Sequence, residues 1–329
     1  MFNVKIIGSG KAVGSIVKKS SDLEKELSLE LGWIEKATGI HSRFYVDSQN
    51  GESALSLGKD AAVKAIENSG LDYEDIDCII GANGSPLQAI PCAASLYQRE
   101  LKLEKSGIPC FDVDITCFSF PMAFFVASNL IHNGIYENVL IISADAPSKT
   151  LDNTTKEIRS LFGDGAAAFV IGPSNGESKV HNFLLRTYSM GADLTCVKGG
   201  GTLKHPNSPH TKLEDNVFQM NGPKVYKTAA RYLRSFFKIF FENSHLQKSD
   251  FQYILPHQTS KNGIDILERH GFDRNQIGDH IRNHGNCIAA SIPMLLHDYI
   301  STNQIDREDN VLIIGTSAGL SIGALSFTY

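Results

Sequence analysis

Apolar and polar positions along the chain fall into short alternating runs separated by longer amphipathic stretches. In "FDVDI", Phe111, Val113 and Ile115 recur with period two, which puts their side chains on one face of a strand. The run stops at Thr116-Cys117, and "SFPMAFFVASNLIHNG" follows with helical patterning. Pro121 is tolerated in the first turn of a helix and Gly134 is a natural stop. The pattern therefore places Cys117 at a strand-to-helix junction.

The same vocabulary recurs at a fixed distance. "NVLII" occurs at 138–142 and again at 310–314, an offset of 172. Ser-x-Pro-Met occurs at 119–122 and 291–294, with the same offset, and "DIDCIIGANG" resembles "KSDFQYILPH" at about that spacing. Chance matches would not share one offset, so the chain reads as two copies of one unit. The boundary predicted is near "GPSNGES", giving halves 1–174 and 175–329. The N-terminal "MFNVKIIGSGKAVG" reads as a first strand, and Ser21-x-x-Glu24 as a capping box opening the next helix. In the first half, "DCIIGANG", the helix of "CAASLYQREL", "FDVDIT", the Cys117 helix, "NVLIISADA" and "GAAAFVIG" follow. In the second, "FQYILPHQT", "GIDILERHG", a helix over 286–300, "NVLIIGTSA" and "SIGALSFTY" repeat the order. Strands alternating with helices predict an α/β fold with a largely parallel sheet covered on both faces, each copy closing on a hairpin-like pair. A site at the pseudo-twofold would draw loops from both halves.

Composition narrows the function classes. Apolar residues make up 42% and charged residues 20%, and 31 basic against 36 acidic residues give a net charge of −5. That balance argues against nucleic-acid binding. No apolar run reaches the roughly 20 residues of a membrane span, and the N-terminus is too polar for a signal peptide, so a cytoplasmic location is expected. Six cysteines (78, 92, 110, 117, 196, 287) contain no CxxC pair, and most read as small buried hydrophobes.

Two motifs invite chemistry and do not carry it. "GSGKAVG" lacks the Ser or Thr that follows GK in a phosphate loop, since Ala12 follows Lys11; it reads as a glycine-rich exit from a strand. His280 and His284 have i, i+4 spacing without a third ligand in a partner motif, so the sequence alone assigns no metal. Cys117 is different in company. Taken alone it is most simply a packed thiol, although a helix N-terminus favours thiolate. His257 in "ILPHQTS" and Asn286 in "HGNCIAAS" also stand at element ends, and "GTSAGLSIG" supplies a glycine-rich bend whose amides can face an oxyanion.

With these pieces in place, the sequence resembles the thiolase-fold condensing enzymes, most closely β-ketoacyl-acyl-carrier-protein synthase III. The matching segments are "GWIEKATGIHSRF", "DITCFSF", "LFGDGAAAFVIG", "FQMNGPKVYKTA", "LPHQTS", "HGNCIAASIP" and "GTSAGLSIGA", in family order along nearly the whole chain. The resemblance implies duplicated βαβαβαββ halves forming a five-layered αβαβα sandwich. It implies Cys117 as acyl-accepting nucleophile, His257 and Asn286 as the decarboxylation pair, and the amides of Cys117 and Gly319 as oxyanion hole. Trp33 would stack on the adenine of coenzyme A, Lys156 would pack on its other side, and Ile90 would close the acyl tunnel of a partner subunit. The implied substrates are an acyl-coenzyme A donor and a malonyl thioester on acyl carrier protein or coenzyme A, with no permanently bound cofactor, in a homodimer.

Several positions depart from the family pattern. Ser119 replaces a glycine, Cys287 and Ile288 replace hydroxyl residues beside Asn286, Ala37 and Asn262 replace basic residues, and Pro223 replaces an asparagine. Acyl transfer from Cys117 to an alcohol, amine or aromatic acceptor stands as the alternative activity, with His257 as general base. A degradative thiolase would need a second active-site cysteine in a C-terminal glycine-rich motif, which the sequence lacks, and an inactive binding partner is disfavoured by the retained triad.

Overall fold

The computed structural model describes residues 1–151 and 155–329. Nine strands build two sheets. They are β1 (Val4–Val13), β2 (Cys78–Gly81), β3 (Cys110–Asp112), β4 (Val139–Asp145), β5 (Gly165–Pro173), β6 (Lys179–Thr187), β7 (Tyr253–Pro256), β8 (Asn310–Ser317) and β9 (Ser321–Thr328). The first sheet runs β1-β5-β4-β2-β3 and the second β7-β8-β9-β6. Read from the other edge, the four strands of the second repeat the first four of the first, β1-β5-β4-β2. Beside β7 an isolated parallel bridge, Ile254 to Ile277, stands where the first sheet has β3.

Four longer helices complete the layers: α1 (Ala54–Ser69), α2 (Ser119–His132), α3 (Gly222–Glu242) and α4 (Ser291–Ser301). Period-two alternation sends each strand's apolar residues two ways. Leu140 and Ile142 pack outward with Ala61, Ala65 and Ile66 of α1, while Leu312 and Ile314 pack outward with Leu233, Phe236 and Phe240 of α3. Val139, Ile141, Val311 and Ile313 face inward, where α2 and α4 share one core between the sheets. Phe120 of α2 meets Phe169 at 5.0 Å, and Phe124 meets Phe327 of the other sheet at 5.4 Å. The fold is the five-layered αβαβα sandwich of the thiolase type.

The sheets are mixed rather than largely parallel. β2 pairs in parallel with β3 and β4, and β7 with β8, but β5 is antiparallel to β1 and β4, and β9 to β6 and β8. Each half closes on the hairpin-like pair that the pattern predicts, a chain reversal that makes its last pairing antiparallel. The "FDVDI" run is also shorter than its alternation suggests, ending as a strand at Asp112.

Two other local readings change. Ser21 caps nothing: the helix Ser20–Glu26 has Lys19 at its N-cap without a side-chain bond, and Glu24 accepts instead from Gly32 N–H and Ile34 N–H at 2.9 and 2.8 Å. Gly8 and Gly10 of "GSGKAVG" lie within β1, and only Gly14 follows its end at Val13. A Cβ at Gly10 would stand 2.3 Å from the Ala61 carbonyl oxygen, so the glycine exists to let α1 lie on the sheet.

Candidate active site

The duplication builds the site by crossing the two halves over each other. In the first half a 3₁₀ turn, Thr116–Phe118, leads into α2, and in the second Ile288–Ala290 leads into α4. Thr116 and Ile288, 172 apart, both take positive φ, at 41° and 50°. Ser119 Oγ accepts the Ile115 N–H at 2.9 Å, and Ser291 Oγ accepts the Cys287 N–H at 2.9 Å. Ser119, which replaces the expected glycine, thus ties the turn together.

Each turn is gripped by the strand end of the opposite half. Asp145, ending β4, accepts the Ala289 N–H at 3.1 Å, as well as the Gly84 and Ser85 amides at 3.0 Å and the Ser85 hydroxyl at 2.8 Å. Ser317, ending β8 and 172 residues on, donates to the Ile115 carbonyl at 2.5 Å and bonds the Thr116 hydroxyl. The Thr116 hydroxyl also accepts the Ala318 N–H at 3.1 Å. Asp145 and Ser317 were not legible in sequence, because a carboxylate and a hydroxyl at strand ends carry no spacing signal.

Cys117 sits in the middle of the first turn, two residues before α2 begins at Ser119. The expectation that the helix end favours its thiolate fails. Burial, with the Asp145 carboxylate adding to it, pushes the thiol up to about 12. The amides of Cys117 and Ala318 and the Thr116 side chain offset only part of that. Ala318, not Gly319, is the bend residue lining the cavity beside the thiol; Gly319 follows at φ 115°.

His257 leaves β7 with its N–H on the Ile314 carbonyl, 2.8 Å away. Its side chain is buried, its Nδ1 has no hydrogen-bond partner among the described residues, and burial pushes it down to about 4. It is a neutral imidazole at neutral pH. Asn286 Oδ1 accepts the Ile288 N–H at 2.9 Å and faces Ser291 Oγ at 3.5 Å. That fixes the amide with its oxygen turned to the chain, leaving Nδ2 as the outward donor. The positive φ of Ile288 is part of this local turn. Gly84 leaves room for its side chain, since a Cβ there would stand 2.2 Å from Ile288 Cγ2.

Cys117, His257 and Asn286 line one cavity of about 1010 Å³ that also reaches Trp33. Between them its wall is largely apolar, including Leu151, Phe162, Phe218 and Ile288. Ala37, Pro223 and Asn262, three of the departures from the family pattern, line it as well. The Lys156 ammonium lies over the Trp33 ring, 5.4 Å from its centroid, so the cation and the ring that sequence pairs are together. Ile90 is not on this wall; it is 84% exposed. His280 stands at the N-cap of a helical turn, Ile281–His284, that His284 ends, and both lie near Asp298. No helix among the described residues is long and apolar enough to cross a membrane.

The chain matches two family descriptions: 3-oxoacyl-[acyl-carrier-protein] synthase III over residues 111–189, and the C-terminal part of the same synthase over 241–329. It is 31% identical to β-ketoacyl-[acyl-carrier-protein] synthase III of Clostridium tetani, covering 98% of this chain and 97% of the relative. With the synthase III of Chlamydia caviae it shares 32% identity, covering 97% and 95%. Among solved structures, 3-oxoacyl-[acyl-carrier-protein] synthase III of Aquifex aeolicus superposes with a TM-score of 0.88 at 28% identity, covering 99% and 100%. The priming β-ketosynthase of the R1128 polyketide pathway, 22% identical, shares the fold with a TM-score of 0.88, covering 99% and 96%.

Proposed function

The chain belongs to the β-ketoacyl-[acyl-carrier-protein] synthase III family of condensing enzymes, and from that membership we propose an acyl-coenzyme A-primed, decarboxylative Claisen condensation through an acyl-Cys117 intermediate. One observation carries the reading: the thiol, the neutral imidazole and the oriented amide open into a single cavity whose far end is an aromatic ring under a cation. The adenine of the donor would take the face of Trp33, with the Lys156 ammonium moving aside to its other face. The acyl-bearing arm would then run along the apolar wall to Cys117.

Attack of the Cys117 sulfur on the thioester carbonyl forms the new S–C bond. The tetrahedral oxyanion is held by the backbone amides of Cys117 and Gly319, and one such donor is worth about 3 kcal/mol. Collapse releases coenzyme A, which takes the thiol proton. A malonyl thioester on carrier protein or coenzyme A follows by the same path. His257 Nε2–H and Asn286 Nδ2–H donate to its thioester carbonyl and stabilise the enolate formed as carbon dioxide leaves. The enolate carbon attacks the acyl-cysteine, giving a β-ketoacyl thioester and returning the Cys117 sulfur, which recovers a proton. The neutrality of His257 supports this division of labour, because a stabilising donor does not need to change charge.

Intact-mass analysis tests the proposal: acyl-coenzyme A should add one acyl group, lost in Cys117→Ser, and malonyl-acyl carrier protein should then discharge it. His257→Ala and Asn286→Ala should still be acylated while condensing about 10²-fold more slowly. A variant that condenses when pre-acylated but cannot be acylated would overturn these roles.

A further inference from the structure

The turn that carries Cys117 and the bend after β8 are joined by two hydroxyls. Ser317 is buried, and its Oγ donates to the Ile115 carbonyl at 2.5 Å. A serine has one hydroxyl proton and a carbonyl has none, so that proton is spent. The bond between Thr116 Oγ1 and Ser317 Oγ is therefore donated by Thr116. With its proton turned to Ser317, Thr116 Oγ1 keeps its lone pairs for other donors, and one takes the Ala318 N–H at 3.1 Å. Donation thus runs in one direction, from Ala318 through Thr116 and Ser317 to Ile115. It links residues about 200 apart in the chain.

Thr116 stands there against its backbone preference. It is β-branched at φ 41°, in the left-handed region where such residues are rare. Asp114 Oδ1 accepts its N–H at 2.8 Å and Ser119 Oγ donates to its carbonyl at 2.7 Å, so the peptides on both sides are fixed. Beside it, Phe118 fills the room left by Gly315 and Gly323, where a Cβ would stand 3.2 and 2.3 Å from its ring. We propose that the Thr116–Ser317 hydroxyl pair is a positioning clasp that sets the spacing of the two oxyanion donors, the amides of Cys117 and Gly319. Cys117 follows Thr116 directly, and Gly319 follows Ala318, whose amide Thr116 holds. The two donors belong to different halves of the chain, so neither half alone fixes their separation. Such donors act only when they are in place before the charge develops. The role in catalysis rests on the acylation proposed above.

Single-turnover acylation of the full chain tests the clasp, with acyl-coenzyme A and with p-nitrophenyl acetate, which needs the oxyanion donors but not the coenzyme end of the cavity. Thr116→Val keeps the branched shape and removes the hydroxyl. It should lower the maximal rate about tenfold or more with either probe, at an unchanged half-saturating concentration of acyl-coenzyme A. Thr116→Ser restores the hydroxyl and should recover most of the rate. Ser317→Ala should also slow acylation, and the double variant with Thr116→Val should be no slower than the slower single, because the two hydroxyls act as one unit. Full-speed acylation in Thr116→Val, a Thr116→Ser as slow as the valine variant, or losses that multiply in the double variant would overturn the clasp. Backbone strain or a damaged fold cannot imitate the expected pattern, since the serine and valine variants keep the same positive φ. If the parent takes its acyl group from the ester and not from acyl-coenzyme A, the proposed function falls, while the ester rates still decide the clasp.

Discussion

At the scale of single residues, the candidate nucleophile was found by its position and misjudged in its electrostatics. A strand-to-helix junction is visible in the pattern around Cys117, but burial and a carboxylate brought from another strand are not. With the thiol pushed up to about 12, free-enzyme alkylation should be slow at neutral pH and rise about tenfold per pH unit as the thiolate fraction grows. Asp145→Asn removes the nearby negative charge, which lowers the thiol pKa and should speed alkylation at fixed pH. Iodoacetamide kinetics with peptide mapping check both; fast, pH-independent labelling of Cys117 would contradict them. His257 offers a second residue-level test through linkage. Its folded pKa of about 4 lies below its ordinary 6.5, so below 6.5 the unfolded chain binds the extra proton. Stability from this group is whole above 6.5 and falls as pH drops toward 4, by about 3 kcal/mol in total. Urea midpoints measured across that window should show a shallower slope in His257→Gln, which cannot titrate there.

At the scale of elements, the duplication was the most legible feature, because two β-rich runs and two helix starts repeat at one offset. What the repeat did not reveal is that each half braces the other. Asp145 holds the turn before α4, and Ser317 holds the turn before α2, so the site exists only when both copies are folded together. Local signals misled where tertiary contacts outbid them. Glu24 matches a capping box but spends its carboxylate on the amides of Gly32 and Ile34, while Ser53 caps α1 with Ser56 without a conspicuous motif. The β1 glycines matched a phosphate-loop composition but serve helix packing. Gly10→Ala tests that reading: the added methyl would meet the Ala61 carbonyl and the Ala65 nitrogen, at 2.3 and 2.7 Å. It should cost about 2–3 kcal/mol as α1 is pushed from the sheet, measured by denaturant unfolding. An unchanged midpoint would show that α1 has slack the packing does not suggest.

For the molecule as a whole, the missing piece of the acyl path points to a second copy. The cavity ends in this chain without Ile90, although the sequence resemblance puts that residue at a tunnel's far end. Ile90 instead stands 84% exposed, on the segment leading to the helix Ala93–Glu100 and beside the sheet-edge strand β3. A branched aliphatic side chain projecting from a loop next to an unpaired edge is a costly surface to leave in water, and pairing about a twofold covers both at once. We therefore predict a homodimer, with a sedimenting species of twice 36.0 kDa at micromolar protein. The same geometry sets an acyl-length prediction. If Ile90 closes the partner's tunnel, Ile90→Trp should preserve the dimer while shifting acylation toward shorter donors, since each excluded methylene forfeits about 0.8 kcal/mol of burial. Acylation rates across a series from acetyl- to dodecanoyl-coenzyme A would show this as a steeper fall with length in the variant. A monomer that acylates with the same length profile in both forms would remove Ile90 from the tunnel, leaving the assignments of Cys117, His257 and Asn286 to stand on their own tests.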